Sequence, residues 1–116
     1  MANAFKLKTF AGGAIGANTD MTIYTGKSGT ETTIIGMSIA NITTSQVTVD
    51  VKIESNTSDT ETNGNVELVT AAPIPAGGSL ETLGGGKLVL QTTDVLRVTS
   101  DTASSLDVSL SIMEIS

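Results

Sequence analysis

Residues 47–55 read VTVDVKIES. Val47, Val49, Val51 and Ile53 alternate with Thr48, Asp50, Lys52 and Glu54, so an extended backbone puts every apolar side chain on one side and every polar one on the other. That is the pattern of a strand with one buried and one wet face, as in antiparallel sheets. The segments around it behave alike. ETTIIGMSIANI, residues 31–42, is the longest strand candidate, with Ile35, Met37 and Ile39 alternating and Gly36 marking a bulge or a close approach. MTIYT (21–25) places Met21, Ile23 and Thr25 on one face and Thr22 and Tyr24 on the other. NAFKLKTF (3–10), with Phe5 and Leu7 on one face, reads as a first strand, and VELVTA (66–71), KLVLQ (87–91) and DVLRVTS (94–100) as later ones. In SLDVSLSIMEI (105–115) Leu106, Val108, Leu110 and Ile112 share a face. Ile115 breaks that period, which points to a bulge or a partner contact near Met113.

About eight strands follow, with turns every eight to twelve residues and no stretch of helical period. The fold class is therefore all-β: a single antiparallel β-sandwich, jelly-roll or immunoglobulin-like. Residues 1–18 form a flexible N-terminal arm with the first strand, and 19–116 the sandwich domain. AGGAIGAN (11–18) is a loose loop and SNTSDTETNGN (55–65) a polar, exposed one.

Composition narrows the function. The 116 residues suit one domain with a modest core, and the only aromatic residues are Phe5, Phe10 and Tyr24. Charged residues make up 16% of the chain, below the usual quarter, and Thr, Ser and Gly are abundant. The net charge is −6, with six Lys and Arg against twelve Asp and Glu. That balance lacks the electrostatic footprint of a nucleic-acid binder. Without cysteine there is neither a disulfide framework nor a thiolate metal site, and without histidine the commonest general base and metal ligand are missing. No run approaches the eighteen apolar residues of a membrane span. The first residues carry two lysines with no long apolar stretch after them, so no secretory signal is expected.

Several short stretches invite chemistry. TGKSG (25–29) resembles part of a phosphate-binding loop, but Met21 stands where that loop has its first glycine, and a strand rather than a helix follows. A hairpin turn is the simpler reading. Asp59, Glu61 and Asn63, followed by Gly64 and with Glu67 at the ninth position, match the first half of a calcium loop. Thr70 occupies the position of the bidentate acid, however, and no helices flank the loop. Asp50 and Glu54 share a strand face, as the two carboxylates of a glycosidase pair do, without an aromatic platform for a sugar. No histidine activates the many hydroxyls, so no catalytic residue and no cofactor is assigned. NIT at 41–43 and NTS at 56–58 match the glycosylation pattern and mean little without secretion. In PIPAGGSLETLGGGKL (73–88) the prolines block ladder hydrogen bonds and Gly77 and Gly78 permit positive φ, so the stretch reads as a corner between two sheets.

Residues 72–115 also carry a resemblance. IPAGGSL, the glycine break at 84–86, KLVL, DVLRVTS and the final SLDVSLSIMEI follow one another as in the C-terminal half of small virion structural proteins of tailed bacteriophages. IIGMSIANITTSQVTVDVKI (34–53) fits the same layout loosely. The resemblance implies a non-enzymatic capsid decoration or cement protein, made in the host cytoplasm and resident in the virion. It would assemble as a homo-oligomer, a trimer, on the major capsid protein or other virion proteins, away from nucleic acid and membrane. Within the N-terminal arm, Phe5, Leu7, Phe10 and Ile15 are the expected contacts. A neck or tail accessory protein, a receptor- or glycan-binding module and a pilus-like adhesin subunit are the alternatives. The few aromatics and the lack of Trp weaken glycan binding, and the lack of a signal weakens the adhesin.

Overall fold

The computed structural model describes residues 3–11, 15–55, 64–82 and 88–115. Among the described residues nine strands run in chain order as β1 (Asn3–Ala11), β2 (Met21–Thr25), β3 (Glu31–Asn41), β4 (Val47–Glu54), β5 (Val66–Ile74), β6 (Ser79–Thr82), β7 (Leu88–Leu90), β8 (Val95–Ser100) and β9 (Leu106–Ile115). They form two antiparallel sheets. One has the order β1-β9-β3-β6, with β7 also on β3; the other has the order β2-β8-β4-β5.

The pairings are nested: β1 with β9, β2 with β8, β3 with β6 and β7, and β4 with β5. β9 also pairs with β3, and β8 with β4. β6 meets Met37–Ala40 and β7 meets Thr32–Ile34, so the two are successive pieces of one edge strand. A long antiparallel ribbon whose tip is the β4–β5 hairpin, rolled until β9 reaches β3, gives this order. It is a jelly roll, and the immunoglobulin-like alternative falls away.

The two inner faces make one core. Ile34, Met37, Ile39, Leu106, Val108, Leu110 and Ile112 of the first sheet pack on Val47, Val49, Val51, Ile53, Leu96 and Val98 of the second. Each such aliphatic side chain stabilises the fold by about 1.5–3 kcal/mol relative to exposure. β4 alternates buried and half-buried residues along its whole length, as its sequence predicts.

Two strands depart from simple alternation. The register between β3 and β9 shifts between Ile34 and Gly36. Ile34, not Ile35, therefore shares the inner face with Met37 and Ile39, and Ile35 is 40% exposed. In β2 the register shifts between Thr22 and Tyr24, so Met21 and Tyr24 both point inward and Ile23 is the displaced residue. A bulge adds one residue and inverts every side chain beyond it.

The corner reading of residues 73–78 holds. β5 is the edge of one sheet and tolerates Pro73 there. Gly78 N–H donates to the Pro75 carbonyl at 2.9 Å across a tight turn with Gly77 at φ 69°, and the chain crosses to β6 in the other sheet.

Candidate functional site

The acids that invited catalysis are occupied structurally. Asp50 Oδ1 accepts the Ala71 N–H at 2.6 Å, supporting a positive φ at Ala71 where the β4–β5 register shifts. Glu54 Oε2 lies 2.8 Å from Arg97 Nε, an ion pair whose angle departs from a hydrogen bond. Arg97 also donates to Thr22 Oγ1. Asp20, accepting from Thr99 Oγ1 and paired with Lys52 at 3.0 Å, is held below the usual carboxylate range by these two partners. The outer face of the β2-β8-β4-β5 sheet is thus a lattice of paired charges.

Of the calcium candidates, Asp59, Glu61 and Asn63 lie outside the described residues. Glu67 is exposed on β5, opposite Lys52 in the register. No group of three acids able to hold a metal occurs among the described residues. Gly26 of the TGKSG stretch is buried. It packs on the β7–β8 turn, where its N–H donates to the Asp94 carbonyl at 2.8 Å and its carbonyl accepts the Thr93 N–H at 3.1 Å.

The N-terminal residues divide. Phe10 and Ile15 pack against the core, whereas Phe5 is 76% exposed and Leu7 68% exposed. The register explains why. Ala4, Lys6, Lys8 and Phe10 oppose Glu114, Ile112, Leu110 and Val108 of β9, all inward-facing, and directly opposed residues share a sheet face. Phe5 and Leu7 oppose Met113 and Ser111 on the outside. β1 thus turns its lysines toward the interior and its large apolar residues toward solvent.

β9 does the same at that end. Pairing with β1 continues without a shift through Ile115. The apparent break in its period arises because Glu114 takes the inward position and Met113 and Ile115 the outward ones. Glu114 is only 7% exposed. Its Oε1 is 2.8 Å from Lys6 Nζ, and its Oε2 accepts the Tyr24 hydroxyl at 2.8 Å. The Tyr24 hydroxyl lies 2.9 Å from Thr32 Oγ1, which is fully buried. Lys6, then Tyr24, hold the Glu114 carboxyl below its ordinary range, while burial pushes the Tyr24 hydroxyl up and keeps it protonated. One end of the sandwich is therefore inside out: a polar cluster within, and Phe5, Leu7, Ile35, Val89, Met113 and Ile115 without. Composition could not reveal this. The alternation of FKLK with the placing of MEI carried the signal, and choosing the face needed the partner strand.

A lowered carboxyl binds fewer protons in the folded than in the unfolded state. Its contribution is present above the unfolded value and is lost as pH falls through the folded one. Asp101, whose Oδ1 accepts the Thr48 N–H at 3.0 Å, is lowered chiefly by that bond and acts in the same direction as Glu114 and Asp20. Denaturant midpoints should therefore drop between about pH 7 and about pH 3. Glu114→Gln should be less stable than the parent at neutral pH and lose less on acidification. An unchanged acid limb would show that the Lys6–Glu114 pair contributes nothing.

No protein-family model, no curated protein and no solved structure matches this chain.

Proposed function

We propose that this chain is a non-enzymatic structural subunit of a tailed-phage particle, a capsid decoration protein that braces the mature shell. The observation that carries a packing role is the inside-out end: an apolar outer surface whose orientation is set by the pairing of the buried Glu114 carboxylate with Lys6. The resemblance of residues 72–115 supports the placement on a phage. A subunit that binds only the assembled, expanded shell stabilises it by mass action, and the stabilisation adds over many equivalent sites.

Co-sedimentation with the purified shells of the source phage, stripped of accessory proteins, tests this. Saturable binding to expanded shells, at one subunit or one small oligomer per equivalent position, and weaker binding to procapsids, is the expected result. Binding in only a few copies, confined to the portal vertex, would move the protein to the neck. No binding to shells or tails would overturn the reading.

A further inference from the structure

We propose that the apolar outer face at the inside-out end, carried by β1, β9, β3 and β7, is the contact through which copies of this chain assemble, patch against patch. The inference shares with the function above only the premise that this face is covered.

The orientation of the face is specified. A one-residue slip of β1 would bury Phe5 and Leu7, as a hydrophobic pattern alone would favour, but would withdraw Lys6 from Glu114 and strand a buried carboxylate. The edge of β1 is a poorer docking site than the face. Lys6 and Lys8 stand on the inward side of this edge strand, and inward-pointing charges discourage edge-to-edge pairing.

Charge points to a second copy as the occupant. The chain carries −6, so copies repel over most of their surface. Among the described residues, the apolar half of this face bears one charged side chain, Glu31, opposite Ile115 at its end. Glu81 and Asp107 lie at the other end of the same face, opposite Ser38 and Ala40. A partner with a basic rim would find little to pair with on the apolar half, whereas a second copy sets one nearly uncharged surface against another and leaves chiefly the net-charge repulsion to overcome. The area agrees with a contact of modest strength. The six apolar side chains leave on the order of 500 Å² open, the size of a functional patch on a monomer. Patch against patch would bury about 1,000 Å² in total, just below the range of stable specific interfaces. Self-association is therefore expected at micromolar concentration or above.

Sedimentation velocity from micromolar to millimolar protein, at low and at high salt, tests this. The mass should rise with concentration to that of two chains, because a patch that meets its own copy closes as a dimer. The association should tighten with salt, which screens the net-charge repulsion while leaving apolar contact intact. Phe5→Glu and Leu7→Glu should each weaken it roughly thirtyfold or more. Both side chains are exposed, so both variants should keep the circular dichroism of the parent. Ile42→Glu, at an exposed apolar position beyond the far end of β3, should leave the association unchanged. A single-chain mass over the whole range would overturn the inference. So would an association that salt abolishes, or one that neither Phe5→Glu nor Leu7→Glu disturbs. A monomer that still saturates shells would leave the decoration role standing and assign the face to the shell; an oligomer that ignores shells would do the reverse.

Discussion

Gly26→Ala should come close to unfolding the protein. An added Cβ would lie 2.0 Å from the Gln91 carbonyl oxygen, 2.9 Å from its carbon and 3.2 Å from Thr93 N. All three are backbone atoms, so no side-chain rotation relieves the overlap. Relief requires parting the β2–β3 connection from the β7–β8 turn, with loss of the two hydrogen bonds that join Gly26 to Thr93 and Asp94. That turn is itself demanding: Thr93 has φ 72°, costly for a β-branched residue, and the turn is closed by Asp94 N–H on the Gln91 carbonyl at 3.1 Å and by Gln91 N–H on Asp94 Oδ2 at 3.1 Å. A loss of about 3–5 kcal/mol is expected, a large part of the stability of a domain this size. Gly29→Ala is the control. Gly29 has φ 70° but nothing within 4 Å, so only the left-handed backbone penalty of about 1–2 kcal/mol applies. Urea midpoints for the two variants should differ widely; equal midpoints would mean the strand connection yields easily.

The same glycine shows what a sequence reading reaches and where it stops. TGKSG announces a turn, and a turn it is, but the reason for Gly26 is a turn sixty-five residues away in the chain, which no local pattern contains. The sandwich itself was legible because period-two alternation is dictated by the backbone: Val47 to Ile53 and Leu106 to Ile112 point inward in the structure as their spacing requires. The alternation fails at Ile23 and Ile35, where a single extra residue inverts the faces. Gly36 flagged the second bulge, and nothing flagged the first. Jelly roll and immunoglobulin-like orders differ only in which distant strands pair, and alternation is silent on that. Phe5 and Leu7, expected as contacts, stay exposed on the outer face. Phe10 joins the core because it stands an odd number of residues from Phe5, and Ile15 packs there from the loop beyond β1.

Asn41→Ala should cost about 3–4 kcal/mol, by a mechanism that leaves the apolar face untouched. Asn41 is 3% exposed at the end of β3. Its Nδ2 donates to the Ser45 carbonyl at 2.7 Å and the Ile74 carbonyl at 3.0 Å, with the Pro75 carbonyl at 3.2 Å sharing one of the two protons. Its Oδ1 accepts from Thr43 N–H at 2.9 Å and Thr43 Oγ1 at 2.7 Å. One side chain thus ties the β3–β4 turn to the β5–β6 corner, and Asn41 N–H on the Gly78 carbonyl at 2.9 Å completes the tie. Truncation removes these side-chain bonds together, each worth about 0.5–1.5 kcal/mol net; the Pro75 carbonyl keeps the Gly78 N–H and the Ser45 carbonyl keeps Thr43 Oγ1, so the loss falls on the tie between the two turns. Asn41→Asp is the sharper probe. One carboxylate oxygen keeps the Thr43 donors, but the other faces carbonyl oxygens in place of donating to them. Its folded pKa must rise, so the folded state binds the extra proton and stability increases as pH falls through that value. The parent, with Glu114, Asp20 and Asp101 lowered, moves the opposite way. Denaturant titrations of the two proteins should therefore converge on acidification, and parallel curves would show that the Asn41 amide is not what holds the corner. Because Asn41 follows Ala40, at the end of the sheet remote from Phe5 and Met113, the folded fraction of Asn41→Ala should self-associate like the parent. Leu7→Glu should show the converse, full stability with lost association. That separation is the expected result if the proposed contact surface lies at the end of the sheet away from the Asn41 corner.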